Sequence, residues 1–456
     1  MNRETSDGLV FFGATGDLAF KQIFPALQGL AKRGRLEMPI VAVGRKPLDK
    51  PALLQRVKES LQAGGGVDGP AFESLSRRLA YAQVDYDDPG SFTRIRDALG
   101  NAKHPLHYVA LPPDVFEKVA ANLAAAGLAR GARLVLEKPF GHDAASAKAL
   151  SEALHSSFPE EAIFRIDHYL GKETVENIVY FRAANPLFEG AFDAEHIESV
   201  QITMAETFGV RGRAAFYDGV GAIRDVVQNH LLEVVACLAL ELPEEGGHEA
   251  LRGQRCKLLA EVNPVSPVEV VRGQFRGYKD EEGVNEGSTT ETFAALRLTL
   301  DGPRWQGVPF FLRAGKSLAV TATEAVVTWK TRRSAVFDEP APHAKNQLRF
   351  RLGPDAGIAL AVNVKKPGEA MAGEVTELAV RRSGRDELKP YERLLGDAMM
   401  GQPAFFAGQR EAEHSWRIVD EVLRQPVPAR TYEPGSWGPR ESDAVAPPGG
   451  WVNPRS

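Results

Sequence analysis

The chain has 456 residues, of which 43% are hydrophobic and 25% are charged, a composition typical of a globular protein with room for two or three domains. The formal net charge of −5 provides no long-range positive field, so nucleic acid and membrane surfaces are excluded as expected partners. An anionic ligand would have to be bound by a few locally placed basic side chains.

The two cysteines, Cys237 and Cys256, lie outside any CxxC or Cys/His cluster. Neither a disulfide framework nor a thiolate metal site is therefore expected. The N-terminus leads into a strand-like run without an apolar signal segment, and no apolar run reaches the length of a membrane span. We expect a cytoplasmic protein.

Strand-like and helical patterns alternate through the first third of the chain. Apolar runs such as "GLVFFG", "PIVAVG", "HPLHYVAL" and "EAIFRI" are separated by amphipathic segments that are typical of helices. Strands that are apolar throughout indicate a parallel sheet covered on both faces. We therefore predict an α/β, Rossmann-like, doubly wound domain over residues 1–172.

A glycine-containing turn follows the first strand in "FFGATGDLAF". Gly13 and Gly16 allow the backbone to turn sharply and to approach a phosphate, and the next helix offers free N–H groups. The spacing is GxxGxxA rather than GxGxxG, so an ordinary strand-to-helix turn is the alternative. The position at the first strand of a βαβ unit favours a dinucleotide pyrophosphate as the ligand.

Arg45 stands at the end of the second strand, in "VAVGRKPL". NAD sites usually have a carboxylate here for the ribose hydroxyls, whereas a guanidinium suits a 2′-phosphate. The pattern favours NADP over NAD, with a solvated loop arginine as the alternative.

The segment 165–173, "RIDHYLGKE", begins at the carboxyl end of a predicted parallel strand, where open α/β sheets bind ligands. His168, Tyr169 and Lys172 offer an imidazole, a phenol and an ammonium near a helix start, a set that can bind a phosphate. A capped helix start with solvated charges is the alternative. Arg165, at the start of the segment, has no assigned role.

The pattern changes after residue 172. Most later apolar segments alternate with period two, among them "HIESVQITMAE", "TFAALRLTL" and "IALAVNV". We predict a larger α+β domain over residues 173–456 with a mainly antiparallel sheet. Late helices precede a Pro- and Gly-rich tail of about 30 residues, for which an irregular, partly ordered conformation is expected.

His230 lies in a helical segment, "IRDVVQNHLLEVV", that is otherwise mostly apolar. A single histidine on such a helix is more often a hydrogen-bonded core residue. Asp225 and Asn229 add a polar strip, and an imidazole that acts as a base usually has a carboxylate partner. A catalytic role and a core role both stay open on these residues alone.

Several of these segments together resemble the glucose-6-phosphate dehydrogenase family. "FFGATGDLAFKQIFPAL", "VALPPDVFEKV", "EKPFGHD", "RIDHYLGKE" and "IRDVVQNHLL" are similar to segments of that family. "LRAGKS", "KKPG", "YERLLGDAMMG" and "SWRIVDEVL" follow in the family's order and extend the resemblance over nearly the whole chain. "RIDHYLGKE" is similar to the family's active-site signature.

The resemblance implies a role for individual residues. His230 would be the general base that removes the proton from the anomeric hydroxyl of the sugar, and Asp167 the carboxylate that pairs with it. His168, Tyr169 and Lys172 would bind the phosphate. The further substrate positions implied are Lys138, Glu206, Asp225 and Lys316, and the cofactor positions are Gly13, Gly16, Asp17, Arg45, Ala110, Pro112 and again Lys138.

The implied reaction is hydride transfer from C1 of D-glucose 6-phosphate to NADP, which gives 6-phosphoglucono-1,5-lactone as the first step of the pentose phosphate pathway. Some relatives also accept NAD, and no metal ion is required. A homodimer or homotetramer is expected, because an open antiparallel sheet needs a partner and the family commonly dimerises through it.

Two other functions stay open. A related sugar dehydrogenase would act on a non-phosphorylated sugar, which the intact phosphate-binding set disfavours. A catalytically silent, dinucleotide-binding regulatory subunit would be expected to have lost the catalytic pair, but Asp167 and His230 are both present.

Overall fold

The structure is a computed structural model that describes residues 5–331, 344–368, 373–381, 388–425 and 428–455. The chain divides into two compact units. Unit 1 comprises Met1–Glu173, Pro243–Gly253 and Glu387–Glu413, and unit 2 comprises Thr174–Leu242, Gln254–Asp386 and His414–Ser456. The first break follows residue 173, next to the predicted boundary at 172, but unit 1 also takes in two later segments that the sequence patterns do not assign to it.

Unit 1 contains a six-stranded parallel sheet. Its strands are β1 (Gly8–Phe12), β2 (Ile40–Gly44), β3 (Leu79–Gln83), β4 (Pro105–Val109), β5 (Arg133–Glu137) and β6 (Ile163–Ile166). Their spatial order is β3-β2-β1-β4-β5-β6, and every neighbouring pair is parallel. The predicted doubly wound domain is confirmed.

Helices connect these strands. They are α1 (Phe24–Lys32), α2 (Lys50–Ala63), α3 (Gly69–Arg78), α4 (Thr93–Leu99), α5 (Phe116–Ala125) and α6 (Ala144–His155). β1, β2 and β4 are buried at every residue, as a sheet covered on both faces requires. Because parallel strands end at the same edge, the segments that follow β1, β2, β4, β5 and β6 lie along one edge of this sheet.

Unit 2 contains a nine-stranded sheet. Its strands are β7 (Ile197–Ala205), β8 (Val270–Phe275), β9 (Phe293–Leu298), β10 (Phe310–Gly315), β11 (Ala322–Trp329), β12 (Gln347–Gly353), β13 (Gly357–Lys365), β14 (Gly373–Arg381) and β15 (Arg430–Tyr432). Their order is β14-β13-β12-β11-β7-β10-β9-β8-β15. All neighbouring pairs are antiparallel except β7 with β10 and β8 with β15, which confirms the mainly antiparallel α+β prediction.

The remaining helices are α7 (Glu173–Ala184), α8 (Pro186–Glu189), α9 (Ala214–Asp218), α10 (Leu232–Ala239), α11 (Gly247–Glu261), α12 (Pro390–Met400) and α13 (Gln409–Arg424). α12 belongs to unit 1. Two segments are π-helical, Ala19–Ile23 and Ile223–Leu231, and short 3₁₀ turns include Glu160–Ala162 and Arg440–Val445. None of the helices in the described ranges combines the length and the apolar character that a membrane crossing needs.

The described residues of the C-terminal tail, 428–455, are mostly irregular, as predicted, but they pack against the unit 2 sheet. The guanidinium of Arg313 lies between Trp437 and Trp451, at 4.7 Å from each ring centroid, and donates a 2.8 Å hydrogen bond to Asn453. Burial lowers the pKa of Arg313 to about 9. Arg313 belongs to β10 and lies far from both tryptophans along the chain, so local composition could not indicate this cation–π packing.

Glu160 joins the three segments of unit 1. Its carboxylate accepts hydrogen bonds from Arg165 at 2.9 Å, from Arg252 at 3.2 Å and from the backbone N–H of Gln409 at 2.9 Å. Burial lowers the pKa of Arg165, and the charge of Glu160 opposes that shift. The first residue of "RIDHYLGKE" therefore anchors β6 to the rest of unit 1.

Candidate active site

The glycine turn after β1 lies against the end of β4. Gly13 has a φ of +79°, and a Cβ at this position would lie 2.3 Å from the carbonyl oxygen of Ala110. On its other side, Arg56 donates hydrogen bonds to the carbonyls of Thr15 at 2.7 Å and Gly16 at 3.0 Å. Only glycine permits this close approach, so the turn presents bare backbone at the sheet edge.

Arg45 follows β2 at the same edge. Its side chain is exposed, and its guanidinium carbon lies 6.0 Å from the ring centroid of Tyr86. Asp17 is also exposed and forms a 3.0 Å ion pair with Lys21 one helical turn later. Pro112 lies just beyond the end of β4. An exposed guanidinium at the same sheet edge as a glycine turn is suited to an anionic ligand.

The segment after β6 folds into a tight turn. The Asp167 carboxylate is buried and accepts a 2.8 Å hydrogen bond from the backbone N–H of Tyr169. The ammonium of Lys172 lies 3.6 Å from the ring centroid of Tyr169. The ring centroids of His168 and Tyr169 are 5.3 Å apart. The predicted phosphate-binding set is thus brought together, with Asp167 beneath it.

Helix α12 packs against this turn. A Cβ on Gly171 would lie 2.7 Å from Leu394, so glycine is needed for the turn to approach the helix. Lys138 follows β5 and precedes a cis peptide bond to Pro139. Helix α12, which includes most of "YERLLGDAMMG", therefore supports the Asp167–Lys172 turn through Leu394.

Three predicted substrate residues meet in unit 2. Glu206 and Lys316 follow β7 and β10, which are parallel neighbours, so their side chains start from adjacent positions. The Lys316 ammonium contacts the Glu206 carboxylate and lies 3.9 Å from Asp225. Lys316 is buried with 7% exposure. The cluster combines two carboxylates, which accept hydrogen bonds, with an ammonium that donates them.

His230 lies in the π-helical segment Ile223–Leu231 and is 2% exposed. Glu291 accepts a 3.1 Å hydrogen bond from the backbone N–H of Ile223 and so fixes the start of the segment. A π-helix pairs residues five apart, which brings Asp225 closer to the face of His230 than an α-helix would. Asp167 belongs to unit 1 and His230 to unit 2, and their pairing stays a prediction.

Two family models match successive parts of the chain. Residues 10–177 match the glucose-6-phosphate dehydrogenase NAD binding domain, and residues 179–451 match the glucose-6-phosphate dehydrogenase C-terminal domain. The chain belongs to the glucose-6-phosphate dehydrogenase family.

Individual relatives agree with this membership over almost their full lengths. The chain is 37% identical to glucose-6-phosphate 1-dehydrogenase 1 of Mycobacterium bovis, over 96% of this chain and 94% of that protein. The crystal structure of glucose-6-phosphate 1-dehydrogenase from Mycobacterium avium has 39% identity and a TM-score of 0.92, covering 99% of both chains. A glucose-6-phosphate dehydrogenase solved in complex with its substrate glucose-6-phosphate has 32% identity and the same TM-score, covering 99% of this chain and 100% of the other.

Sequence reasoning missed Glu137 in this family member. Its carboxylate accepts hydrogen bonds from Tyr108 at 2.5 Å and from Tyr391 of α12 at 3.5 Å. Burial raises the pKa of Glu137 to about 7, against the lowering effects of Tyr108 and of the Lys138 charge. The available signal was a carboxylate that follows the apolar run Leu134–Leu136 of "RLVLE", directly before the predicted substrate lysine.

Replacing Glu137 with Gln should change how stability depends on pH. Between pH 4.5 and pH 7 the folded protein holds a proton on Glu137 that the unfolded chain has released, so the contribution of this group falls as pH rises through that window. Gln does not titrate. Glu137→Gln should therefore gain stability relative to the unsubstituted protein between pH 5 and pH 8, by up to about 3 kcal/mol.

Thermal unfolding midpoints at pH 5, 6.5 and 8 measure this difference. Glu73→Gln is the matched control, because Glu73 is exposed and forms an ion pair with Arg77 of the same helix. A difference between Glu137→Gln and the unsubstituted protein that stays constant with pH would contradict the raised pKa.

Proposed function

We propose that this chain oxidises D-glucose 6-phosphate to 6-phosphoglucono-1,5-lactone with NADP as the hydride acceptor. The observation that carries the proposal is the edge of the unit 1 sheet, where the Gly13 turn and the phosphate set of His168, Tyr169 and Lys172 follow strands of one parallel sheet. The similarity to a dehydrogenase solved with glucose 6-phosphate supports the same substrate.

The residues at the dinucleotide turn fit a cofactor with a 2′-phosphate. Gly13 leaves its backbone open to a pyrophosphate, and the exposed Arg45 guanidinium suits the additional phosphate. When bound, NADP supplies the acceptor for the hydride that leaves C1 of the sugar. The residues proposed to hold it are Gly13, Gly16, Asp17, Arg45, Ala110, Pro112 and Lys138, and NAD is a second acceptor to be tested.

The chain's own charged groups bind and orient the sugar phosphate. His168, Tyr169 and Lys172 donate hydrogen bonds to the phosphate oxygens. Lys138, Glu206, Asp225 and Lys316 contact the sugar hydroxyls. Carboxylates accept from a hydroxyl and ammonium groups donate to it, so a cluster with both can satisfy both sides of a sugar hydroxyl.

His230 is the proposed general base. As C1 of the sugar loses hydride, the hydroxyl on C1 becomes acidic. The imidazole of histidine, with an ordinary pKa of about 6.5, can accept the proton of this hydroxyl at neutral pH. Asp167 pairs with His230, holds the required tautomer and stabilises the imidazolium. Its buried position and its hydrogen bond from the Tyr169 backbone favour a fixed carboxylate.

A cytoplasmic location and a homodimer belong to the same proposal. A sugar phosphate and a dinucleotide are intracellular metabolites, which supports the location. β14 is one of the two edge strands of the nine-stranded sheet as described, and its Leu378 and Val380 are 60% and 69% exposed. They lie opposite Leu360 and Ile358 of β13 on the same face, and an apolar stripe of this kind suits a second copy of the chain.

The direct test is NADPH formation by the purified protein, with glucose 6-phosphate and free glucose compared under NADP and NAD. We expect a strong preference for the phosphorylated sugar. Comparable rates with free glucose would favour a dehydrogenase for non-phosphorylated sugars, and no turnover with either sugar would favour a silent subunit.

Changing His230 to Asn should reduce kcat by at least ~10²-fold, because the general base is lost. KM for glucose 6-phosphate should stay nearly unchanged, since the phosphate set is intact. His196→Asn, an exposed histidine paired with Asp193, is the control. Steady-state kinetics measure both, and near-normal turnover of His230→Asn would refute the base assignment.

Changing Arg45 to Ala should lower the ratio of kcat/KM for NADP over NAD by about ten-fold or more, the effect of losing a charged hydrogen bond. Arg77→Ala, an exposed arginine of α3, is the matched control. An unaltered ratio in Arg45→Ala would mean that the 2′-phosphate is held by other residues.

Changing Leu378 and Val380 together to Asp should convert the dimer to a monomer, because charges would replace the apolar contact. Val268→Asp is the control, since Val268 is 82% exposed and lies outside the stripe. Sedimentation velocity measures the change, and an oligomer that survives the double substitution would exclude this face as the interface.

A further inference from the structure

Tyr217 has a buried hydroxyl that no described residue accounts for. The side chain belongs to α9 and is 3% exposed, and its hydroxyl oxygen has no hydrogen-bond partner among the described residues. Buried tyrosine hydroxyls almost always have a partner, because an unpaired one has lost its contacts with water without replacing them. The missing partner therefore needs an explanation.

The ring is held in one place by apolar packing. It belongs to a core cluster with Ala205, Val210 and Phe293, and its centroid lies 6.5 Å from that of Tyr278 in an edge-on arrangement. The backbone N–H of Tyr217 also donates a 2.9 Å hydrogen bond to the carbonyl of Arg213. A ring fixed in this way presents its hydroxyl at a defined position.

The Tyr217 ring lies beside the substrate cluster of unit 2. The Lys316 ammonium lies 5.6 Å from the Tyr217 ring centroid, within the range of a cation–π contact. Burial raises the pKa of Tyr217 well above its ordinary value, and the charges of Asp225, Glu291 and Glu206 add to the shift. Tyr217 is therefore a protonated hydrogen-bond donor beside the residues proposed to bind the sugar.

We propose that the Tyr217 hydroxyl donates a hydrogen bond to one hydroxyl oxygen of the bound sugar, next to Glu206, Asp225 and Lys316. This inference rests on the proposed function and adds a residue that determines specificity. A sugar hydroxyl both donates and accepts, so it can donate to a carboxylate of the cluster while accepting from the phenol. Substrate binding would then give the Tyr217 hydroxyl the partner that the described residues do not provide.

The test compares Tyr217→Phe with Tyr278→Phe. Both changes remove only a hydroxyl, but that of Tyr278 already donates a 2.9 Å hydrogen bond to Asp218. Tyr217→Phe should leave the unfolding midpoint of the ligand-free protein unchanged or higher, while weakening glucose 6-phosphate binding about ten-fold. Tyr278→Phe should lower the midpoint and leave substrate affinity unchanged.

Monodeoxy analogues of glucose 6-phosphate identify the partner hydroxyl. A site that hydrogen-bonds a hydroxyl discriminates strongly against the analogue lacking it. One of the 2-, 3- and 4-deoxy compounds lacks the hydroxyl that accepts the Tyr217 hydrogen bond. Tyr217→Phe should therefore bind that compound about as well as the unsubstituted protein does. The other analogues should keep the ten-fold penalty.

Isothermal titration calorimetry gives these affinities without turnover, so the two proposals can fail separately. If the unsubstituted protein binds glucose 6-phosphate but forms no NADPH, the proposed function is refuted. The affinity of Tyr217→Phe for glucose 6-phosphate then still decides the Tyr217 inference. A lower midpoint with unchanged affinity in Tyr217→Phe would overturn the inference and assign the hydroxyl to a structural partner such as an ordered water. Failure of the unsubstituted protein to bind glucose 6-phosphate would overturn both.

Discussion

The position of β6, and with it the Asp167–Lys172 turn, depends on the hydrogen bonds of the Glu160 carboxylate. This carboxylate is contacted by Arg165, by Arg252 and by the Gln409 backbone, which come from three separate stretches of the chain. Arg165 is buried, whereas Glu160 is 33% exposed, and removing the carboxylate would leave the buried guanidinium without this counter-charge. Because Arg165 lies in β6, which ends at Ile166 directly before Asp167, the network fixes the strand that presents the proposed catalytic carboxylate.

Each unit carries polar groups whose positions are set before any ligand binds. In unit 1, Glu137 is held by two phenols beside Lys138. In unit 2, Lys316 is held between carboxylates, and Tyr432 donates a 2.6 Å hydrogen bond to its backbone carbonyl. Groups fixed in advance need little reorganisation when charge develops in the reaction, which is the main way such sites accelerate hydride and proton transfer. The tail that provides Tyr432 is thus part of the site's support.

The fold class and most of the site candidates could be predicted because they depend on short-range patterns. Apolar strands alternating with helices indicated the parallel sheet, and period-two alternation indicated the antiparallel one. Gly13, Arg45 and the Asp167–Lys172 turn all follow predicted strands, so the parallel direction of those strands assigned them to one sheet edge. The π-helical turn around His230 was not predictable, because a stretch of nine residues that runs directly into an α-helix is too short for its own period to be recognised.

The sequence by itself determined the family and the two kinds of sheet, and it pointed to the residues proposed to bind a dinucleotide and a sugar phosphate, since each depends on local spacing and residue type. Only the tertiary structure decided which distant groups become neighbours: α12 against the Asp167–Lys172 turn, Arg313 between two tail tryptophans, and Tyr217 beside Lys316. These contacts join residues far apart along the chain. Their free energy comes from burial and charge pairing, which exist only once the chain has folded.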